Sequence, residues 1–235
     1  MTRRTLQVVT LLAALSVLSP CLVHAQGNWQ PGDFGSVRFR LGLLQPRADS
    51  EYWDQTFTDF TGSASSFENI VFGVEYLWMT SRDGGIAFGS SFYEGSTTQA
   101  YRDYVDLEGR DIRHTTTLGL TDLTATYIHR LARGSVRPYF GAGGGLLWWR
   151  LQEEGSFIDF SSFDAPIVFA TYRADGTTWV ALGLLGVEVP IAYKWRVFFE
   201  GRYRWAQAEL NRDFSGFGTI DLSGYELAGG FSINW

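Results

Sequence analysis

The chain has 235 residues, with 19 lysines and arginines against 25 aspartates and glutamates, which gives a formal net charge of −6. This acidic balance argues against nucleic acid as a partner, because nucleic-acid-binding domains carry basic surfaces. The length fits one domain. The single cysteine excludes a framework of intrachain disulfides. Nine tryptophans, 11 tyrosines and 18 phenylalanines beside 27 glycines are an unusual composition for a soluble enzyme.

Residues 1–25 have the layout of a secretory signal peptide. Two arginines precede the apolar run VVTLLAALSVL, and VHA follows it, which predicts cleavage after Ala25. The apolar run is too short to cross a hydrocarbon core of about 30 Å as a helix. A lipoprotein signal at Cys21 is a second possibility, but Pro20 stands where that signal needs a very small residue.

Cleavage after Ala25 leaves a mature domain of residues 26–235 without cysteine. Of the 19 basic residues, the two arginines in the signal are lost, so 17 basic residues remain against 25 acidic ones and the net charge becomes −8. No later stretch is long and apolar enough for a spanning helix. If the mature chain enters a membrane, it must therefore do so as a closed β-barrel, which satisfies all its backbone groups in lipid.

Eight segments of the mature chain alternate between apolar and polar residues with a period of two, which predicts β-strands. In chain order they read SVRFRLGL, NIVFGVEYLW, GIAFGSSFY, LTDLTATYIH, RPYFGAGGGLLWWR, TWVALGLLGVEV, WRVFFEGRYRW and GYELAGGFSINW. The orientation of the fifth segment is ambiguous because both of its faces end in tryptophan; we expect Phe140 and Trp148 to face outward. The glycines of GAGGG are expected to make room inside a narrow barrel.

The connections between the segments alternate in length. Those after the second, fourth and sixth segments are short, and the other four are long, polar and aromatic. Short periplasmic turns and long outer loops are typical of outer-membrane barrels. We therefore predict an all-β fold, an eight-stranded antiparallel up-and-down transmembrane β-barrel with long extracellular loops. A soluble β-sandwich is the alternative, although sandwiches rarely need aromatic residues at both strand ends.

Aromatic spacing supports the membrane interpretation. Trp195 and Trp205 lie ten residues apart on one face, as do Tyr225 and Trp235. Ten residues at about 3.3 Å each, tilted by about 40°, cover roughly 25 Å, the height of the apolar band of an outer-membrane barrel. The predicted periplasmic and outer aromatic girdles together comprise Trp78, Tyr127, Trp195, Trp205, Tyr225 and Trp235.

The secretory signal, RPYFGAGGG, FFEGRYRW and the aromatic-terminated last segment together resemble the outer membrane protein β-barrel domain proteins, which include OmpX, OmpW and the OmpA membrane domain. The resemblance covers the mature chain and implies the outer membrane of a diderm bacterium, with lipids including lipopolysaccharide around the barrel. It also implies recognition of the last strand by the outer-membrane assembly machinery. Gly229 departs from the pattern, since a larger apolar residue is typical there.

Charged residues occupy the predicted inner face in equal numbers. The four positive and four negative positions are Arg38, Arg40, Arg202 and Arg204 with Glu75, Glu188, Glu200 and Glu226. Buried charges are tolerable when they are paired, so the sequence favours a salt-bridged plug. The alternative is a set of charges that lines a conductive or proton-translocating path.

The sequence contains no recognisable catalytic or metal-binding motif. Of the two mature histidines, His114 is expected in an outer loop near the outer end of the fourth strand, and His129 at a turn near the periplasmic end of that strand. Neither begins the His-x-Ser motif of lipid A deacylases. The first loop interleaves carboxylates with aromatic residues. Carboxylates are ligands of Ca²⁺, but the simpler interpretation is a solvated loop whose aromatic side chains pack on the barrel rim. We therefore expect no enzymatic activity, no cofactor and no metal.

The expected role is structural or interactive, through extracellular loops that bind an unidentified ligand, and the expected state is a monomer. A narrow channel for small or hydrophobic solutes, as the OmpW likeness suggests, is the alternative, and a lipid-modifying enzyme is the third candidate. Between residues 152 and 178, the tripeptide Ala174-Asp175-Gly176 lies between two β-prone runs, which predicts a hairpin. In this hairpin the sixth strand extends beyond the membrane and pairs with residues near 167–172 above the outer rim, and we expect proteolysis near Arg173.

Overall fold

The computed structural model describes residues 35–235. The predicted signal peptide, its cleavage site after Ala25 and the alternative lipoprotein site at Cys21 lie outside the described residues. In the described range, no helix has the length and apolar character needed to span a membrane.

The described chain is built mostly of strands. In chain order the elements are β1 Gly35–Pro46, α1 Glu51–Asp59, a 3-10 turn Ala64–Phe67, β2 Asn69–Met79, β3 Gly84–Val105, β4 Asp111–Arg130, β5 Arg137–Ile158, β6 Ile167–Pro190, β7 Trp195–Trp205, β8 Gln207–Glu209, a 3-10 turn Arg212–Phe214, β9 Thr219–Asp221 and β10 Gly224–Asn234.

Eight of these strands form a closed antiparallel barrel in the order β1-β10-β7-β6-β5-β4-β3-β2. The first and last strands close it, because β1 pairs with both β2 and β10. Phe39, for example, stands opposite Val74 on one side and Phe231 on the other. The predicted eight-stranded up-and-down barrel is confirmed. The remaining strands, β8 and β9, form a separate two-stranded sheet.

Side chains alternate across the barrel wall as the period-two pattern predicts. On β7, Phe198 is 1% exposed, whereas its neighbour Phe199 is 55% exposed. On β5, Phe140 and Trp148 point outward while Tyr139 and Leu147 are buried, so the expected orientation of that strand is correct. Three short turns, residues 80–83, 131–136 and 191–194, join strands at one end of the barrel, which we call the short-turn end. The opposite end is the long-loop end.

Strands β3 to β6 continue well beyond the long-loop end of the other four. Their paired residues in this outer extension are 94–105, 111–119, 149–158 and 167–176. Ten residues at about 3.3 Å each, tilted by about 40°, add roughly 25 Å to this side of the wall. The outward face changes from aromatic to polar residues along these strands, from Phe92 to Thr98 on β3 and from Trp148 to Arg150 on β5. The apolar band therefore ends where the extension begins.

The predicted hairpin at Ala174-Asp175-Gly176 is wrong. Strand β6 runs through these residues without a break, and Asp175 pairs with Arg150 of β5. The turn lies instead at residues 159–166, between the ends of β5 and β6. Gly176 leaves room for the side chain of Trp149, because a Cβ at this position would lie 3.2 Å from Nε1 of that tryptophan. Proteolysis near Arg173 is no longer expected, since that residue is paired within the sheet.

An outer cap closes the long-loop end of the lumen. It consists of residues 47–68, which include α1, and residues 206–223, which include the β8–β9 sheet. Trp53 of α1 is fully buried, and its indole Nε1 donates to the backbone oxygen of Asp221 at 3.0 Å. The acidic first loop that we expected to be solvated thus forms a helix whose aromatic side chains pack inward.

Apolar residues from the cap and from the barrel strands form one buried cluster beneath the cap. Its members include Leu44, Trp53, Phe67, Val71, Tyr93, Leu120, Leu147, Trp149, Val180, Phe214, Ile220 and Leu222. The main hydrophobic core of the protein therefore lies at the outer mouth of the barrel, above the charged residues of the lumen.

Candidate functional site

The middle of the lumen holds a dense group of ion pairs. We call it the central ion network, and its members are Arg38, Arg40, Glu75, Asp122, Glu200, Arg202, Arg204 and Glu226. They are contributed by five strands, β1, β2, β4, β7 and β10, and every member is buried. Four positive charges face four negative charges, so the network is neutral as a whole.

Two glutamates each bridge several arginines. Glu75 contacts Arg38 at 3.2 Å, Arg40 at 2.7 Å and Arg202 at 2.5 Å. Glu200 contacts Arg38 at 3.1 Å and Arg202 at 2.6 Å. Because the strands place these residues on one inward face, pairs from opposite sides of the barrel meet across its axis. Such pairing offsets the large desolvation cost of burying charges.

The outer part of the network is looser. Glu226 accepts from Nε of Arg40 at 2.8 Å and lies 3.4 Å from Arg204. Arg204 also approaches Asp122 at 3.5 Å. Asp122 is held in turn by Ser91, whose backbone N–H donates to it at 3.1 Å and whose hydroxyl forms a second hydrogen bond.

Neutral aromatic side chains complete the contacts of Arg38. Its Nη2 donates to the hydroxyl of Tyr139 at 2.7 Å, and that hydroxyl donates to Glu200 at 2.8 Å. The guanidinium carbon of Arg38 lies 4.1 Å from the ring centroid of Phe198, within the range of a cation–π interaction.

Inward-facing glycines leave the volume that these long side chains occupy. A Cβ on Gly73 would lie 2.5 Å from Cζ of Arg40, and a Cβ on Gly89 would lie 2.5 Å from Cγ of Glu75. Arg40 cannot move aside freely because Glu75 and Glu226 hold it from two directions. Room for the network is therefore made by glycines on β2 and β3, whereas a Cβ on Gly143 or Gly145 of GAGGG would first meet the backbone of β4.

Glu188 lies apart from the other seven predicted charges. It stands at the short-turn end of the lumen, 3.4 Å from Arg130 and 3.3 Å from Arg196. This smaller group is separated from the central ion network by apolar residues that include Leu77, Ile128 and Leu184. The lumen thus contains, from the short turns outward, an ionic layer, an apolar layer, the central ion network and the capped core.

Four participants were absent from the predicted set: Asp122, Arg130, Tyr139 and Arg196. All four have inward parity, on β4, β5 and β7, so the period-two pattern contained the signal. Asp122 and Arg196 were assigned to the polar faces of their segments but not counted among the charge pairs, and no inward role was inferred for the other two.

The six predicted girdle residues all point outward, each with an exposed fraction between 43% and 60%. Trp78, Tyr127, Trp195 and Trp235 lie near the short-turn end, where Trp235 stacks on Tyr76 with ring centroids 6.1 Å apart. The other two, Trp205 and Tyr225, lie at the opposite edge of the apolar band and both contact the ring of Tyr203.

The histidine expected in an outer loop lies inside the outer extension. His114 belongs to β4, is 1% exposed, and packs against the rings of Phe60 at 4.4 Å and Phe157 at 4.8 Å. Both of its ring nitrogens lack a hydrogen-bond partner among the described residues. Burial lowers the pKa of His114 to about 4, so the ring is neutral at physiological pH. The prediction of a loop residue was wrong because the four long strands extend further than the alternation indicated.

Residues 35–235 contain no group of three or more histidine, cysteine, aspartate or glutamate side chains arranged to hold a metal ion.

Comparisons with known proteins agree on the architecture. No protein-family model and no curated protein sequence matches the chain. The structure is similar to the surface protein A of Neisseria (NspA), with a TM-score of 0.52 and 13% identity over 87% of this chain and 98% of that one. Weaker similarities are to OprG of Pseudomonas aeruginosa, with a TM-score of 0.49, 13% identity, and 86% and 95% of the two chains covered, and to the attachment invasion locus protein Ail of Yersinia pestis, with a TM-score of 0.45, 12% identity, and 85% and 99% covered.

At these identities the likeness concerns the fold alone. The resemblance inferred from the sequence is thereby confirmed at that level: this chain has the fold of the small eight-stranded outer-membrane β-barrels.

Proposed function

We propose that the protein is a non-enzymatic, non-conducting barrel of a bacterial outer membrane, and that it acts through the folded platform that its cap and outer extension present outside the cell. The observation that carries the proposal is the filled lumen. The central ion network joins strands across the barrel axis, and the capped core seals the mouth above it with fully buried side chains such as Trp53 and Phe67.

The outward face supports insertion in a membrane. Large apolar side chains are exposed around the whole barrel, among them Leu41, Phe72, Phe88, Leu185 and Phe199. A monomeric soluble protein rarely exposes so much contiguous apolar surface. The aromatic residues at both edges of the band match the two girdles of outer-membrane barrels. Lipids, including lipopolysaccharide, would then contact the band, and the assembly machinery would recognise β10.

The plug interpretation rests on charge balance and direct contact. In a water-filled pore, charges can remain separate because water solvates them. Here Arg38, Glu75 and Glu200 are each at most 5% exposed in their side chains and lie within 3.2 Å of an opposite charge. That arrangement is what a dry interior requires.

Cysteine labelling in intact cells tests the display of the platform. Ser162 lies in the turn between β5 and β6, and Ser135 lies in a short turn at the opposite end. The only native cysteine, Cys21, belongs to the predicted signal peptide, so each variant would carry one site. We expect a membrane-impermeant maleimide to label Ser162→Cys in intact cells and Ser135→Cys only after the cells are broken. Equal labelling of the two sites, or the reverse pattern, would refute the proposal.

A further inference from the structure

A cavity of about 340 Å³ opens into the outer cap. It lies between α1, the outer ends of β3, β5 and β6, and the segment that joins β8 to β9. This volume is at the lower end of the range for small-molecule pockets. The cavity is above the apolar band and separate from the central ion network.

Aromatic rings form most of the cavity wall and brace one another edge to face. Tyr172 contacts Phe157 with centroids 4.9 Å apart and an interplanar angle of 74°. Phe214 contacts Tyr52 at 5.8 Å and 86°. Phe160 also lines the cavity and is 60% exposed. The faces of such rings carry negative electrostatic potential and attract cations.

Three carboxylates line the same cavity, and none has a cationic partner within residues 35–235. They are Asp59, Glu153 and Asp213. Among the described residues, no lysine or arginine side chain forms a salt bridge with any of them, and no basic side chain lines the cavity. Asp213 accepts a hydrogen bond from the backbone N–H of Arg173 at 2.8 Å. The cavity therefore combines aromatic faces with uncompensated negative charge.

Glu153 is the most informative of the three carboxylates. It is only 6% exposed although it lines the cavity, and the hydroxyl of Tyr52 donates to it at 2.7 Å. Burial raises the pKa of Glu153 to about 7. A buried carboxylate without a cation is costly, and native proteins seldom keep one without a purpose.

We propose that this cavity binds a small organic ammonium cation, with the charged nitrogen against Glu153 and its apolar substituents against the aromatic rings. The inference deepens the proposed function, since it rests on the cap being displayed outside the cell and names the class of ligand for that platform. A neutral sugar fits less well, because among the described residues of the wall the uncharged side chains with hydrogen-bonding groups, besides the tyrosines, are Gln55 and Thr56 alone.

The experiment compares choline with 3,3-dimethylbutan-1-ol, a neutral molecule of nearly the same shape. Binding to the full refolded protein is followed by NMR line broadening and by calorimetry, in a maltoside or glucoside detergent because phosphocholine detergents would compete. We expect choline to bind at least about tenfold more tightly than its neutral isostere, a difference of about 1.4 kcal/mol. Equal affinities, or no saturable binding of choline, would overturn the proposal.

A matched pair of variants locates the site. Glu153→Gln should weaken choline binding by about tenfold or more, whereas Glu154→Gln, on the exposed side of the same strand, should leave it within about twofold. Loss of binding in both variants, or in neither, would overturn the assignment. Folding of each variant is checked by the heat-induced shift in gel mobility. The comparison of choline with its isostere uses the native protein and does not depend on the variants.

The pH profile supplies an independent readout. The titratable groups around Glu153 are Tyr52 and Asp59 of α1, Tyr101 of β3, His114 of β4, Tyr172 of β6 and Asp213 of the cap. Because a cation favours the ionised form of Glu153, choline affinity should rise between pH 6 and pH 8 in the native protein (about one unit either side of the Glu153 pKa). A flat profile in the native protein would overturn the role of Glu153. Failure of any of these binding tests would leave the labelling test of the proposed function unaffected, so the two can fail separately.

Discussion

Replacing Glu200 by glutamine should destabilise the barrel, because it removes one negative charge from the centre of a balanced network. The Glu200 side chain is fully buried and contacts Arg38 at 3.1 Å and Arg202 at 2.6 Å. Glutamine is nearly isosteric and still accepts the hydrogen bond from Tyr139, so the change is electrostatic and not steric. The four positive charges of the network would then face three negative ones.

The expected loss of unfolding free energy depends on the ion pairs that Arg38 and Arg202 keep after the substitution. Removing one partner of a buried ion pair typically costs about 3–5 kcal/mol. Arg38 and Arg202 would both keep Glu75, at 3.2 Å and 2.5 Å, so neither becomes wholly unpaired. We therefore expect a loss near the lower end, about 3 kcal/mol. In the double variant Glu200→Gln/Arg202→Gln the network is neutral again, and about 1–2 kcal/mol should be recovered as coupling.

Equilibrium unfolding in urea, with the barrel refolded in lipid vesicles and followed by tryptophan fluorescence, measures these changes. Glu108→Gln is the control, since that residue forms only an exposed ion pair with Arg110, and its unfolding midpoint should not move. A Glu200→Gln variant as stable as the native protein would refute the reasoning. So would a double variant whose loss equals the sum of the two single losses, because the charges would then act independently.

Three further perturbations test other parts of the structure. Gly73→Ala should cost about 1–3 kcal/mol in urea unfolding, because its Cβ would meet Arg40 at 2.5 Å, whereas Gly201→Ala, where no atom lies within 4 Å, should be neutral. Burial raises the pKa of Glu153 to about 7, so the stabilising effect of this residue on the cap is present at low pH and is lost as the pH rises from about 4.5 to 7. At pH 8 the cap of the Glu153→Gln variant should therefore exchange its amide hydrogens more slowly than the cap of the native protein. Equal exchange rates would contradict the burial of this carboxylate. Phe231→Asp places a charge on the apolar band and should abolish the folded, heat-modifiable gel band; normal folding would contradict the outward orientation of β10.

The barrel could be predicted because the environment of its two faces sets the residue pattern within each strand. A strand with one face in lipid and one in a filled lumen must alternate with a period of two, and in β7 that alternation is visible in the sequence WRVFFEGRYRW. The count of eight strands followed from the same alternation, and the alternating loop lengths supported it independently. The inward parity of Arg38, Glu75 and Glu200 followed from the same pattern, although the pairing across the lumen required the closed register.

Of the outer extension, only the continuation of the sixth strand beyond the membrane was predicted. Above the apolar band the outward residues become polar, such as Thr98 on β3, Arg150 on β5 and Arg173 on β6, so the contrast between the two faces weakens and the extended parts of the strands resemble loops in the sequence. Two errors followed, the hairpin at residues 174–176 and the loop assignment of His114. Gly176 was interpreted as a turn residue, whereas it makes room for Trp149, a contact between strands that no local pattern reveals.

Single-channel recording on the native protein in planar lipid bilayers tests the central claim most directly. A lumen filled by the central ion network and sealed by the outer cap should give no discrete openings at any applied voltage, and Glu200→Gln should not create them while the barrel stays folded. Discrete openings whose ion selectivity changes in Glu200→Gln would contradict the account, because Arg38, Glu200 and Arg202 would then line water and the protein would be a channel.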